Sequence, residues 1–383
     1  MTRQRQRSAI ILAAGYARRM QRFKPLLTLG GRTVLERVVS LYRNGGVTDI
    51  RVVTGFRSEA IRSALAALPV AVVHNPAHDT GMFSSVLTGI NTLPADVSSF
   101  FVHPVDIPLV RPHTLVMLME AFDEHPSPVV YPVFDDTRGH PPLVDAALKD
   151  TILSYDGNGG LSALLRRFDA MALDVQVADE GVLLDVDTPD DFQRMATRLT
   201  ASDRLTEYEC RVLMEKVRQL PGPLITHCHY VACVAAALAR AINDNGGAID
   251  VGLVQSTAWV HDVARMEKSH AAAGARLLDA MGFPAIAALV ASHMDIRLSQ
   301  DSPVDEAQIV YLADKLVAGT TLVSLKQQFD VKLKKYGHDP TVAESIYQRR
   351  RAALSIQCKV ERMSGRTVGQ LLNTAGVIDR RQP

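Results

Sequence analysis

"IILAAGYARRMQRFKPLL", residues 10–27, places an apolar run, one glycine and then four cationic side chains in immediate succession. A β-branched apolar run that gives way to Ala-Ala-Gly reads as a buried strand stopping at Ala13 or Ala14. Gly15 lets the chain turn with its backbone N–H groups outward, as an approaching phosphate requires. Arg18, Arg19, Arg22 and Lys24 bring positive charge to the same side. By itself the stretch is either an anion-binding turn or a strand-to-helix turn with solvated arginines.

Its surroundings favour an α/β unit. "SAIILAA", "DIRVVTG", "VAVVHN", "SSFFVHPVD", "PVVYPV" and "GVLLDV" read as strands, and "TVLERVVSLYRNGG", "SEAIRSALAAL" and "PHTLVMLMEAF" as helices between them. Near-continuous apolar strands alternating with helices predict a mostly parallel sheet covered on both faces, with ligands beyond the carboxyl ends of the strands. Gly15, Asp106 and Asp187 fall there. From about residue 202 the strand pattern stops, and "DRLTEYECRVLMEKVRQL", "VACVAAALARAI", "VGLVQSTAWVHDV" and "EAQIVYLADKLVAG" predict an all-α unit. The Thr and Ser caps of "RLTASDR" put the boundary near residues 199–203, giving domains 1–200 and 201–383.

With 383 residues, two domains can each bury a core. The 42 Lys+Arg nearly cancel the 41 Asp+Glu, which excludes a general affinity for nucleic acid or an acidic membrane surface. Cys210, Cys228, Cys233 and Cys358 form no Cys-x-x-Cys pair and suit free thiols in a reducing cytosol. The apolar core of residues 9–14 is too short for a secretory signal, and the longest apolar run, residues 230–239, is about half of what a bilayer-spanning helix needs. A cytoplasmic protein with neither nucleic acid nor membrane as partner is expected.

The order L-A-A-G, Arg-Met, Lys-Pro-Leu-Leu, followed by "TGMFSSVLTGI" (80–90), "VHPVDIPLV" (102–110), "GHPPLV" (139–144) and "LLDVDTPDDF" (183–192), resembles the nucleotidyltransferases that attach a nucleotide to molybdopterin. These are a MobA-like branch of the NTP transferases, whose sheet is of the Rossmann-like nucleotide-diphospho-sugar transferase type. The resemblance implies a nucleotide site of Leu12, Ala13, Ala14, Gly15, Arg19, Lys24, Gly81, Ser84 and Ser85, with Arg19 and Lys24 neutralising the triphosphate and Asp106 and Asp187 holding Mg²⁺. It implies CTP or another NTP as donor, a molybdenum-carrying molybdopterin as acceptor, and a molybdoenzyme or maturation factor as partner. The chemistry is consistent: transfer at the α-phosphorus builds negative charge that cations and a carboxylate-held metal must offset.

Alternatives stand beside several of these roles. Asp106, ahead of Pro108, could cap a turn; Asp187 could cap the next helix, a job better suited to Thr188, and Asp185 is a rival ligand. Ser84 and Ser85 either contact the base or cap a helix, and His140 is a candidate for the acceptor side. Two departures stand out: Ala17 where the family commonly has Ser or Gly, and Gln21 where it has Gly. Ala14 matches the cytidylyl branch, since the guanylyl branch has a second glycine there. The alternative within the same fold is a sugar-phosphate or polyol-phosphate nucleotidyltransferase.

In the second half, "THCHYVACVAAALA", "AWVHDVARMEKSHAAAGARLL", "LVASHMDI" and "VYLADKLVAG" carry His227, His261, Asp262, His270, His293 and Asp314 on or beside apolar helices. Imidazoles and carboxylates from facing helices build metal sites in bundles, and this mixture suits Fe, Mn, Co, Ni or Zn. The order resembles the HD-domain phosphohydrolases over about residues 224–319. The resemblance makes His227, His261, Asp262 and Asp314 a primary site, His270 and His293 ligands to a second metal, Asp262 the residue central to catalysis, and His229 a non-ligand. It implies hydrolysis of a phosphorylated small molecule, or a nucleotide-sensing domain that binds without cleaving. Arg265 stands where the family often has Lys. The tail, with Arg349, Arg350 and Arg351, reads as amphipathic helices with solvated basic faces.

Overall fold

A computed structural model of the chain describes residues 6–16, 22–296 and 303–374. The chain divides into two compact units, Met1–Ser202 and Asp203–Pro383.

The first unit runs, in chain order, β1 (Arg7–Ala13), a hairpin of β2 (Thr28–Leu29) and β3 (Arg32–Thr33), α1 (Val34–Asn44), β4 (Asp49–Thr54), α2 (Ser58–Ala64), β5 (Ala71–His74), α3 (Met82–Ile90), β6 (Ser99–Pro104), α4 (Pro112–Glu124), β7 (Val129–Phe134), β8 (Thr137–Arg138), β9 (Leu143–Asp145), α5 (Lys149–Leu153), α6 (Gly160–Leu165), β10 (Leu173–Gln176) and α7 (Pro189–Thr200). The strands lie in the order β10-β7-β9-β6-β1-β4-β5, with β8 paired to β7. Every pairing is parallel except those made by the short strands β8 and β9.

β1 is buried from Ser8 to Ala13 because strands flank it on both edges and helices cover both faces, so its apolar run has no polar alternation. Ile10 and Leu12 meet Val53, Phe100 and Val102 across the sheet, and Val86 and Ile90 of α3 above it. Each such side chain contributes about 1.5–3 kcal/mol on burial. Gly89 sets how closely α3 approaches: a Cβ there would sit 2.4 Å from Ile10 Cγ2. α1 and α7 start from capping boxes, Thr33 with Glu36 and Thr188 with Asp191.

The stretch "GVLLDV" is not a strand. Glu180–Leu183 forms a 3₁₀ turn capped by Asp179, whose carboxylate accepts from Gly181 N at 3.1 Å and from Arg111 N and Thr114 Oγ1 at 2.7 Å. A buried carboxylate with that many donors overrides the β-propensity of the apolar residues after it. Val186 N donates to Asp106 O at 2.9 Å and His140 N to Val182 O at 2.8 Å, and the first of these bonds lays residues 185–187 beside the end of β6. The edge strand is instead β10, and "GHPPLV" supplies β9, inserted antiparallel between β6 and β7.

The second unit comprises α8 (Glu207–Val212), α9 (Gly222–Asn243), α10 (Val251–Val260), α11 (His270–Ala280), α12 (Pro284–Ser292), α13 (Glu306–Leu316), α14 (Leu325–Tyr336), α15 (Pro340–Ser364) and α16 (Val368–Thr374). It is not wholly helical. Val317–Ala318 and Thr321–Leu322, β11 and β12, form a short antiparallel hairpin after α13. By length and composition α9, 22 residues that include an 18-residue window of mean hydropathy 1.3, is able to cross a bilayer, which the shorter apolar run within it did not suggest. Its residues Val231, Ala232 and Val234–Ala239 are buried in the bundle, and α10 and α13 pack against it.

Candidate functional site

The carboxyl ends of β1 and β6 open onto one cavity of about 400 Å³, lined by Leu12, Ala13, Ala14, Gly15, Lys24, Gly81, Ser85 and Asp106. Gly15 does not adopt positive φ, so the turn itself does not demand glycine. A Cβ there would meet none of the described residues within 4 Å. Gly81, at φ 118°, does need glycine, and it is the N-cap of α3. Ser84 turns away, donating to Gly81 O at 2.8 Å and Ala77 O at 3.0 Å, whereas Ser85 is on the cavity wall. Arg18, Arg19, Ala17 and Gln21 lie outside the described residues.

Lys24 joins the aspartates. Its ammonium is 2.7 Å from Asp187 Oδ1 and 3.4 Å from Asp106 Oδ2. Burial raises the pKa of Asp106, and the Lys24 charge opposes that rise. Asp106 also borders a second cavity of about 930 Å³ that takes in Tyr131, Arg138, His140, Asp185 and Asp187. Asp187 therefore does not serve only as a cap; Thr188 caps α7, and the Asp187 carboxylate faces Lys24. Two carboxylates converging on one charged point fit a divalent cation that prefers oxygen ligands.

Three residues not singled out from sequence hold this arrangement. His103, fully buried at the end of β6, receives the Tyr42 hydroxyl on Nδ1 at 2.9 Å and donates from Nε2 to Ile107 O at 2.8 Å, which fixes the loop carrying Asp106. Its pKa falls to about 3 through burial, only partly offset by the Ile107 bond. Asn75 donates to Ser84 Oγ at 2.8 Å and Ser85 Oγ at 3.0 Å. A histidine inside a strand was the visible signal for His103; its partner Tyr42 sits in an amphipathic helix and carries none.

In the second unit His227 of α9, His261 and Asp262 after α10, His270 of α11, His293 after α12 and Asp314 of α13 meet in one place. His227, His261 and Asp262 form one ligand group, and Asp262, His270 and His293 another, each with its atoms within 4.8 Å of one another. Asp314 Oδ1 is 3.3 Å from His227 Nε2 and 3.6 Å from His261 Nε2. Asp262 belongs to both groups and stands between them.

The histidines are set up to ligate through Nε2. Nδ1 of His227, His261 and His293 lies 2.9, 2.7 and 2.6 Å from the carbonyls of Gly319, Ala258 and Val290. A carbonyl only accepts, so Nδ1 carries the hydrogen and Nε2 the lone pair. His261 Nε2, His293 Nε2 and Asp262 Oδ1 are buried with no hydrogen-bond partner. Orphaned donor atoms of this kind aimed at one point fit a transition-metal pair. Burial pushes the Asp262 carboxyl up, but the neighbouring His293, His261 and Arg265 side chains outweigh it and hold the group below the usual range.

His229 lies outside the cluster, stacked on Trp259 with centroids 5.0 Å apart and 3.6 Å from Glu207 Oε1. Arg265, at the lysine position, has Nη1 3.5 Å from Asp262 Oδ1 and 3.3 Å from His270 Nε2. A cavity of about 420 Å³ opens over the cluster, and Lys315, Lys332 and Arg349 line it. The tail is thus more than a solvated basic face: Arg349 makes a two-pronged pair with Asp295 at 2.8 and 3.0 Å and reaches this cavity, and Arg350 pairs with Asp330. Burial, then the Lys315 charge, lowers the pKa of Lys332.

Residues 9–177 match the MobA-like NTP transferase domain, and residues 224–319 match the HD domain. Nicotine blue oxidoreductase of Paenarthrobacter nicotinovorans is 28% identical over 195 residues, covering 49% of this chain and 95% of its own. The molybdenum cofactor cytidylyltransferase of Escherichia coli (strain K12) is 25% identical over 199 residues, covering 52% of this chain and 96% of its own. A bifunctional IPC transferase and DIPP synthase of Rubrobacter xylanophilus is 42% identical over 92 residues, 22% of this chain and 21% of that protein, so the chain spans about a fifth of its length. The chain therefore joins a nucleotidyltransferase domain of the MobA-like NTP transferase family to an HD domain.

Proposed function

We propose that the first domain transfers a cytidylyl group from CTP to a phosphate of molybdenum-carrying molybdopterin, releasing pyrophosphate, and that the HD domain hydrolyses a phosphoester of a small molecule. The observation that carries the first part is Lys24 held between Asp106 and Asp187 where two cavities meet. The triphosphate lies in the smaller cavity and the acceptor in the larger. The acceptor phosphate oxygen attacks the α-phosphorus in line, the bond to the β-phosphate oxygen breaks, and pyrophosphate leaves. Lys24 offsets charge on the phosphates, and the Ala13 to Gly15 backbone cradles them. Asp106 and Asp187 would hold Mg²⁺, which would supply further positive charge at the reacting oxygens. Ala14 favours the cytosine donor, in keeping with the similarity to a cytidylyltransferase.

In the HD domain Asp262, shared by both ligand groups, and the Nε2 atoms of His227, His261, His270 and His293 would hold two transition-metal ions, with Asp314 beside the first. Such ions polarise a phosphoryl oxygen and lower the pKa of water. Arg265 and Lys315 balance the phosphate charge.

A redox role for the first domain is the second reading, favoured by the similarity to an oxidoreductase. Purified protein with Mg²⁺ and each labelled NTP in turn, with and without molybdopterin or sugar and polyol phosphates as acceptors, separates them by pyrophosphate release. Turnover with CTP and the molybdenum-bearing acceptor supports the proposal; reduction of the acceptor by a nicotinamide donor without pyrophosphate sinks it. A phosphoester screen on wild type and Asp262→Ala tests the HD domain. Nucleotide binding there that alters transfer rates without product formation would make it a sensor instead.

A further inference from the structure

The cavity over the metal-ligand cluster extends past the stretch that matches the HD domain. Residues 224–319 supply the cluster, but Phe329 and Lys332 of α14 and Ile346 and Arg349 of α15 build one wall of the same cavity. Four cations line it, and three already have acidic partners: Lys315 with Asp314, Arg265 with Asp262, and Arg349 with Asp295. Lys332 has none. No carboxylate of the described residues is in ion-pair range of its ammonium, which lies 5.8 Å from the centroid of the Phe329 ring. A half-buried ammonium without a counter-charge is costly unless a ligand brings one.

We propose, resting on the phosphoesterase reading of this site, that the HD site takes a compact organic phosphate bearing a second anionic group. Lys332 receives that group while the reacting phosphoryl lies at the histidine and aspartate cluster. Phe329 and Ile346 cover the organic part between the two. A cavity of about 420 Å³ suits a molecule of small-nucleotide or sugar-bisphosphate size. The specificity of the site would then be written in helices added after the metal-binding bundle.

The test uses two non-hydrolysable probes, methylphosphonate with one anionic group and methylenediphosphonate with two, titrated calorimetrically into full-length Mn²⁺-loaded protein. Binding that Asp262→Ala abolishes belongs to this site. The expected result is that methylenediphosphonate binds there at least about tenfold more tightly than methylphosphonate. Lys332→Met should remove that preference and leave methylphosphonate affinity within about twofold, and Lys332→Arg should retain most of it. Equal affinity for the two probes in wild type, or an unchanged preference in Lys332→Met, overturns the inference. Failure of the phosphoesterase reading is separate: both probes would then bind Asp262→Ala as they bind wild type.

Discussion

Lys24 Nζ stands 2.7 Å from Asp187 Oδ1, although 163 positions of chain separate the two residues. Asp106 Oδ2 is 3.4 Å from the same ammonium. Lys24→Met removes the ammonium that faces both carboxylates and, on the proposed reading, a cation beside the triphosphate. Pyrophosphate release should fall by about 10²–10³ in kcat/KM. The fold should persist, because β1 and β6 hold their register without Lys24; circular dichroism on the same sample checks that.

The metal-ligand cluster makes a stoichiometric prediction. After loading with Mn²⁺ and dialysis, the HD domain should retain two ions, and His227→Ala and His293→Ala should each cost one, since the two residues lie in different ligand groups. Asp262→Ala should lose both. Elemental analysis of full-length protein reads the outcome, and an Asp262→Ala sample as metal-rich as wild type would exclude the shared-bridge geometry.

His103 gives the first domain a pH dependence. Its folded pKa, about 3, lies below the ordinary histidine value of 6.5, so the unfolded chain binds the extra proton first. Stability from this group is complete above the unfolded value and is lost as pH falls through the window between 6.5 and 3. Between pH 7 and pH 5 the loss amounts to about 2 kcal/mol. Calorimetric unfolding at the two pH values should show a smaller change in a His103→Gln variant.

Gly55 lies under the His78 ring on the wall of the smaller cavity: a Cβ at 55 would sit 2.4 Å from His78 Cβ and Cγ. Gly55→Ala must therefore shift His78. KM for the NTP should rise by roughly tenfold with little change in kcat, because the displaced ring borders ground-state binding and not the carboxylates. Steady-state kinetics at varied NTP check the split.

Much of this was legible beforehand where the physics is local. The alternation of apolar strands and amphipathic helices announced the α/β unit, and the Thr188 cap followed from its place ahead of Pro189. The stretch 181–186 misled because its apolar residues suit a strand, while the deciding partner, Asp179, acts through Arg111 and Thr114 far back in the chain. Arg349 reads as surface charge because a helical pattern does not say which basic residue will find Asp295, in the bend after α12.

By itself the sequence determined the two kinds of unit, the order of the chemistry-bearing residues and the donor types available to a metal, since these follow from side-chain chemistry and short-range periodicity. Only the tertiary structure decided that Lys24, Asp106 and Asp187 share one point, that three histidines spend Nδ1 on carbonyls and keep Nε2 for the cluster, and that α14 and α15 close over it. Those relations join residues tens to hundreds of positions apart, and such distances are set by how helices and strands pack, which no local pattern encodes.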